Sequence, residues 1–161
     1  MPWAQVAKLI GKEAGLFVPS GTMSNAVALR THTVPGDEIV VESSAHIYIY
    51  EGGGYAALCG ASIALVPGER GLMTAAQVEK AIRKAEGSLG HSPDCSLVCV
   101  ENTSNRGGGT CYDLAALDAI AAVAKKHGCA THMDGARLFH AVRARTPPTA
   151  PLALSFHSTP Q

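Results

Sequence analysis

Cys95-Ser96-Leu97-Val98-Cys99-Val100 is almost wholly apolar, and this run constrains the fold more than any other stretch of the chain. A strand with one face in water alternates polar and apolar residues. A run without that alternation suits a sheet covered on both faces, as parallel sheets are. Comparable runs occur at 38–42, 61–66 and 129–133, with a shorter one at Leu16-Phe17-Val18-Pro19. Between them lie stretches with helical spacing. Thr74 and Gln77 make a T-x-x-Q capping box ahead of Val78 and Ile82, in a helix reaching about Ala85. Asp113 opens a helix bearing Leu114, Leu117, Ile120, Val123 and Ala124 on one side, with Lys125, Lys126 and His127 at its negative end and Gly128 as its stop. Repeated strand–helix units predict an α/β fold, a mostly parallel sheet with flanking helices and right-handed crossovers.

The remaining elements follow the same logic. Val6, Leu9 and Ile10 predict a helix over 3–14 that Gly15 ends, and Leu16 to Pro19 reads as a short strand. Ser20 caps a helix to about His32. Residues 45–58 read as helix interrupted by Gly52-Gly53-Gly54, and a short helix begins near Ala136. After Val142 comes a proline-rich stretch, Arg143 to Pro151, without periodicity, so 143–161 is expected to be an irregular tail.

Composition excludes several partners. Lys plus Arg equals Asp plus Glu, 13 each in 161 residues, so nothing recommends nucleic acid or an anionic membrane surface as partner. No uncharged apolar run reaches the roughly 18 residues of a membrane span. Met1 to Gln5 lacks the features of a secretory signal, so a cytoplasmic location is expected. Five cysteines without paired spacing read as small buried hydrophobes in a reducing compartment, and no metal site is expected.

Two polar constellations sit after apolar runs, where open α/β sheets place their ligands. Ser20-Gly21-Thr22-Met23-Ser24-Asn25 offers small residues and backbone N–H groups at a helix start, suited to a phosphate or to an ordinary N-cap. Asp134-Gly135-Ala136-Arg137 offers a carboxylate and a guanidinium, suited to a cationic ring nitrogen and an anionic oxygen, or to a structural ion pair between them. A phosphate plus a ring that needs an acidic partner describes pyridoxal 5'-phosphate, PLP. His46 could stack on such a ring or serve as a core or capping residue. Glu101-Asn102-Thr103-Ser104-Asn105-Arg106 either contacts substrate or forms a solvated loop.

Taken in order, these motifs resemble the threonine aldolases, in the aromatic amino acid β-eliminating lyase group of fold-type I PLP enzymes. The matching text is Lys12 to Asn25, Ala45-His46-Ile47-Tyr48-Ile49-Tyr50-Glu51, Glu101-Asn102-Thr103 and His132 to Phe139, within about residues 4–142. The resemblance implies cleavage of L-threonine or L-allo-threonine to glycine and acetaldehyde. It places Gly21 and Thr22 at the cofactor phosphate, His46 on the ring, and Asp134 at the pyridine nitrogen. Arg137 falls near the cofactor's hydroxyl oxygen and the substrate carboxylate. It also implies a small amino acid as substrate and, in the complete family form, a homo-oligomer. The chain departs from the family pattern at Ser104, where a histidine often stands near the substrate hydroxyl. The family's cofactor-bearing lysine lies beyond Asp-Gly-Ala-Arg, and here no lysine follows Lys126. The expectation is a chain truncated at both ends, with a partial PLP-binding large domain over 1–142 and no small C-terminal domain. The alternative is a catalytically inactive fragment that at most binds PLP or a full-length subunit.

Overall fold

In a computed structural model, residues 2–145 are described. Four strands, β1 (Glu38–Glu42), β2 (Ser62–Val66), β3 (Cys95–Glu101) and β4 (Ala130–Asp134), form one sheet in the order β2-β1-β3-β4. Every pairing is parallel. All carboxyl ends therefore share one side of the sheet, and Glu101 stands level with Asp134. The α-helices are α1 (Pro2–Leu9), α2 (Gly21–His32), α3 (His46–Ile49), α4 (Gly54–Ala57), α5 (Ala75–Ala81), α6 (Leu114–Lys126) and α7 (Leu138–Arg145).

Strand alternation sorts the core onto two faces. Val40, Val98 and Val100 pack with Val78 of α5 and with Leu117, Ile120 and Ala124 of α6. Ile39, Val41, Leu97 and Cys99 pack on the other side with Leu29 of α2 and with Ala45 and Ile47 around α3. Both faces are covered, which is why the central run lacks polar alternation. Each fully buried aliphatic side chain here contributes about 1.5–3 kcal/mol over leaving it in water.

The local signals act as expected at several ends. Thr74 and Gln77 close a reciprocal capping box on α5. Asp113 Oδ1 accepts from Ala116 N at 2.7 Å and starts α6. Gly53, with φ of 70°, separates α3 from α4. None of the five cysteines is in a disulfide; four are buried and Cys111 is half-buried. Among the described residues, no helix is long and apolar enough to cross a membrane.

Four expectations are corrected. First, α1 stops at Leu9 instead of reaching residue 14. Gly11 adopts φ of 68°, Lys12 N bonds back to Ala7 O at 2.8 Å, and Gly11 N bonds to Lys8 O at 3.3 Å. Paired closing bonds of this kind end a helix. Second, Leu16 to Pro19 forms no strand, and Leu16 and Phe17 are 75% and 72% exposed. The segment folds onto α1: the Phe17 ring lies 6.5 Å from that of Trp3, and Gly15 fits where a Cβ would meet Trp3 O at 2.6 Å. Third, α5 ends at Ala81, short of Ala85. The chain turns there so that Arg83 pairs with buried Glu38 and Lys84 Nζ reaches Cys95 O at 2.6 Å. At the other terminus α7 continues to Arg145, past the boundary expected at 142. The rest of the expected irregular tail, 146–161, lies outside the described residues.

Ile120 is fully buried between α6 and the sheet. Ile120→Ala is expected to cost about 2–5 kcal/mol of stability through lost contacts and a residual cavity. Urea unfolding followed by circular dichroism checks this as a lower midpoint with an unchanged slope.

Candidate active site

Parallel pairing brings Glu42, Glu101 and Asp134 to the carboxyl side of the sheet, and each carboxylate finds its donors within the protein. Glu42 accepts from Ser44 N at 2.7 Å, from Ser43 and Ser44 hydroxyls, and from Gly68 N at 3.2 Å. Glu101 Oε2 accepts from His46 N at 2.9 Å, and Oε1 from Asn105 N at 2.8 Å and Arg137 Nη2 at 3.1 Å. Asp134 Oδ1 accepts from Ala136 N at 3.1 Å and Oδ2 from Asn25 Nδ2 at 3.0 Å. Buried charge is tolerated only with such partners.

Asn25 links these ends. It opens the second turn of α2, and its Nδ2 also donates to Glu51 Oε1 at 2.8 Å. The same Glu51 oxygen pairs with His46 Nδ1 at 2.9 Å. His46, Glu51 and Asp134 thus place a polar atom each within 4.8 Å of one another. The His46 ring stays 37% exposed and lies 5.3 Å from the Tyr50 ring. Gly21 and Thr22 stand four and three residues before Asn25, so they share its helix face about one turn, 5.4 Å, toward the helix start. Both are exposed, and a Cβ at Gly21 would meet nothing within 4 Å. Ser20 caps this end by accepting from Met23 N at 3.1 Å.

The structure therefore brings Gly21, Thr22, His46 and Asp134 to one corner. Arg137 reaches it from the loop after β4 but does not pair with Asp134. Its Nε donates to Thr103 Oγ1 at 3.0 Å, and Nη2 reaches Thr103 O and Glu101. Ser104 points elsewhere: it is 2% exposed, its Oγ accepts from Gly107 N at 3.1 Å, and a Cβ on Gly71 would collide with it. Of the polar run Glu101 to Arg106, the first four residues are buried, and only Asn105 and Arg106 are solvated. Asn25, Glu51, Glu101 and His132 join the site's hydrogen-bond network, although the sequence singled out none of them individually. Their signal was their place inside the polar motif strings.

His132 lies on β4, and its Nε2 reaches Asn25 Oδ1 at 3.0 Å. Burial is the main cause that pulls its pKa down to about 4, against the pull of the Asp134 carboxylate. His132 is therefore neutral near pH 7. The unfolded chain takes up this proton below about pH 6.5, and the folded one only below about 4. Its contribution to stability is complete above about 6.5 and is lost as pH falls through that window, on the order of 3 kcal/mol in all. His132→Asn is expected to flatten the pH dependence of urea stability between about 4 and 6.5, whereas a slope equal to wild type would contradict this assignment.

Comparisons with known proteins fit this geometry. The family model described as β-eliminating lyase matches residues 3–156. Low-specificity L-threonine aldolase 1 of Arabidopsis thaliana is 41% identical over 139 residues, 85% of this chain and 38% of that protein. The low specificity L-threonine aldolase of Saccharomyces cerevisiae is 36% identical over 138 residues, 84% of this chain and 35% of that one. Among solved structures, a Leishmania major threonine aldolase superposes with a TM-score of 0.75 at 28% identity, covering 85% of this chain and 39% of its own. The chain spans less than two fifths of the length of these relatives.

Proposed function

The chain belongs to the β-eliminating lyase family, and on that premise we propose that it forms the ring- and phosphate-binding part of a PLP-dependent threonine aldolase. The observation that carries this reading is the Asn25 bond to Asp134, which sets a carboxylate one helical turn from the exposed start of α2. The donor set fits the cofactor. Each Asp134 oxygen takes one N–H from the protein and has a further lone pair for a protonated ring nitrogen. The open space at Gly21, with the Thr22 hydroxyl and the positive end of a 12-residue helix, suits a phosphate. The partly exposed His46 imidazole offers a flat face for the ring.

When bound, PLP supplies an electron sink for the pair released as the Cα–Cβ bond of a β-hydroxy amino acid breaks. The chain's own residues do the rest. Asp134 keeps the proton on the ring nitrogen by its charge. His46 covers the ring and keeps water from that face. Arg137 already spends Nε and Nη2 on Thr103 and Glu101, so its Nη1 end is the part that holds a substrate carboxylate or cofactor oxygen. L-Threonine and L-allo-threonine are the proposed substrates, with glycine and acetaldehyde as products.

A second reading has the chain binding PLP, or a full-length subunit, without cleaving threonine. Lysine placement favours it. Lys84 bonds to the first residue of β3, and Lys126 ends the helix before β4, where it pairs with Glu79 at 2.6 Å. Both lie at the amino side of the sheet, opposite Asp134. Equilibrium dialysis with PLP and an acetaldehyde assay with threonine separate the two readings. Binding with acetaldehyde release supports the aldolase, binding alone supports the second reading, and no binding sinks the aldolase and leaves the second only its subunit-binding form. Asp134→Ala is expected to weaken PLP binding about ten- to hundredfold, as loss of a charged hydrogen-bond partner does. Cys111→Ser is expected to leave binding unchanged; equal losses in the two variants would indicate general misfolding.

A further inference from the structure

One neutral amide reaches three titratable side chains of the site. The Nδ2 of Asn25 donates to Glu51 at 2.8 Å and Asp134 at 3.0 Å, and its Oδ1 accepts from His132 Nε2 at 3.0 Å. Exchanging the amide oxygen and nitrogen would set a carbonyl between two carboxylates, so the orientation has one solution. The protons on the two histidines follow. Oδ1 can only accept, so His132 carries its proton on Nε2. The Glu51 carboxylate can only accept, so His46 carries a proton on Nδ1, and the neutral ring has a bare lone pair on Nε2. Glu51 is 5% exposed at its side chain and takes the Asn25 and His46 bonds on the same oxygen, so its position depends on Asn25.

We propose that Asn25 is a positioning residue that holds Asp134 and the Glu51–His46 pair in one hydrogen-bonded unit and thereby selects the Nδ1–H tautomer of His46. This rests on the proposed PLP site, since it gives the ring partner and the nitrogen partner a common anchor. It assigns Asn25 a part in cofactor recognition although Asn25 need not touch the cofactor. A neutral bridge is required there. It carries two N–H bonds to two carboxylates without adding charge, while an aspartate would have no proton to give and would place a third carboxylate beside them.

The test reads tautomers in the full chain without PLP, by two-bond 1H–15N correlation of the histidine rings. In the wild type, His46 is expected to show a protonated Nδ1 and a pyridine-like Nε2, which is the minority form of a free imidazole. Both side-chain protons of Asn25 are expected to exchange slowly with solvent. In Asn25→Ala and Asn25→Asp, a folded chain is expected to show His46 reverting to mainly Nε2–H, with His132 no longer bonded to an amide oxygen. A wild-type His46 already in the Nε2–H form overturns the proposal. So do rapidly exchanging Asn25 protons, a measurement that needs no variant to fold. An unchanged His46 tautomer in a folded Asn25→Ala overturns it as well. Because PLP is absent throughout, these outcomes stand apart from a failure of the chain to bind the cofactor.

Discussion

A parallel sheet gathers the carboxyl ends of all its strands on one side, and here three of the four carry or adjoin a carboxylate that water does not reach freely. Glu42, Glu101 and Asp134 must each be satisfied by donors from other segments. The loops and helix starts on that side are arranged by this demand. Glu101 is the clearest case. One carboxylate takes the backbone N–H of His46, that of Asn105 and the guanidinium of Arg137. It thereby fixes the start of α3, the loop after β3 and the approach to α7 together. Its loss would leave two backbone amides without this acceptor and the Arg137 guanidinium without its ion-pair partner, a larger penalty than any one of those bonds contributes.

The same demand shapes the proposed cofactor corner. Asp134 is pinned by one side-chain amide and one backbone amide, yet retains acceptor capacity. A carboxylate held in place before its ligand arrives loses little freedom on binding, which is how fixed dipoles and charges become effective in a site. Arg137 shows the opposite allotment. Most of its donors are committed to Thr103 and Glu101, so it clamps β3 to α7 and leaves only its remaining edge for the proposed anion contact. Its ion-pair partner is Glu101 rather than the Asp134 expected from the sequence.

Much of this was legible in the chain. The β1, β3 and β4 runs, the Thr74 box, the Asp113 cap and the Gly53 break are local signals, and local physics decides them. The polar strings after the apolar runs marked the carboxyl side correctly. The misses share a cause. Leu16 to Pro19 has strand composition, but a strand needs an edge to pair with, and the edge is set by the whole sheet. The Gly11 stop was hidden by three plausible helical residues beyond it. Asn25 reads as an ordinary helix residue because the bond that gives it meaning spans 109 positions. Ser104 looks exposed in a polar string, yet close packing under Gly71 buries it.

The central claim is that Asp134 stands ready to keep a pyridine nitrogen protonated. The direct measurement is 15N NMR of PLP labelled at the ring nitrogen, bound to this chain near neutral pH. The account predicts the shift of a protonated ring nitrogen in the wild type and an unprotonated one for whatever binds to Asp134→Ala. An unprotonated nitrogen in the wild-type complex, or no bound signal at saturating protein, would contradict it.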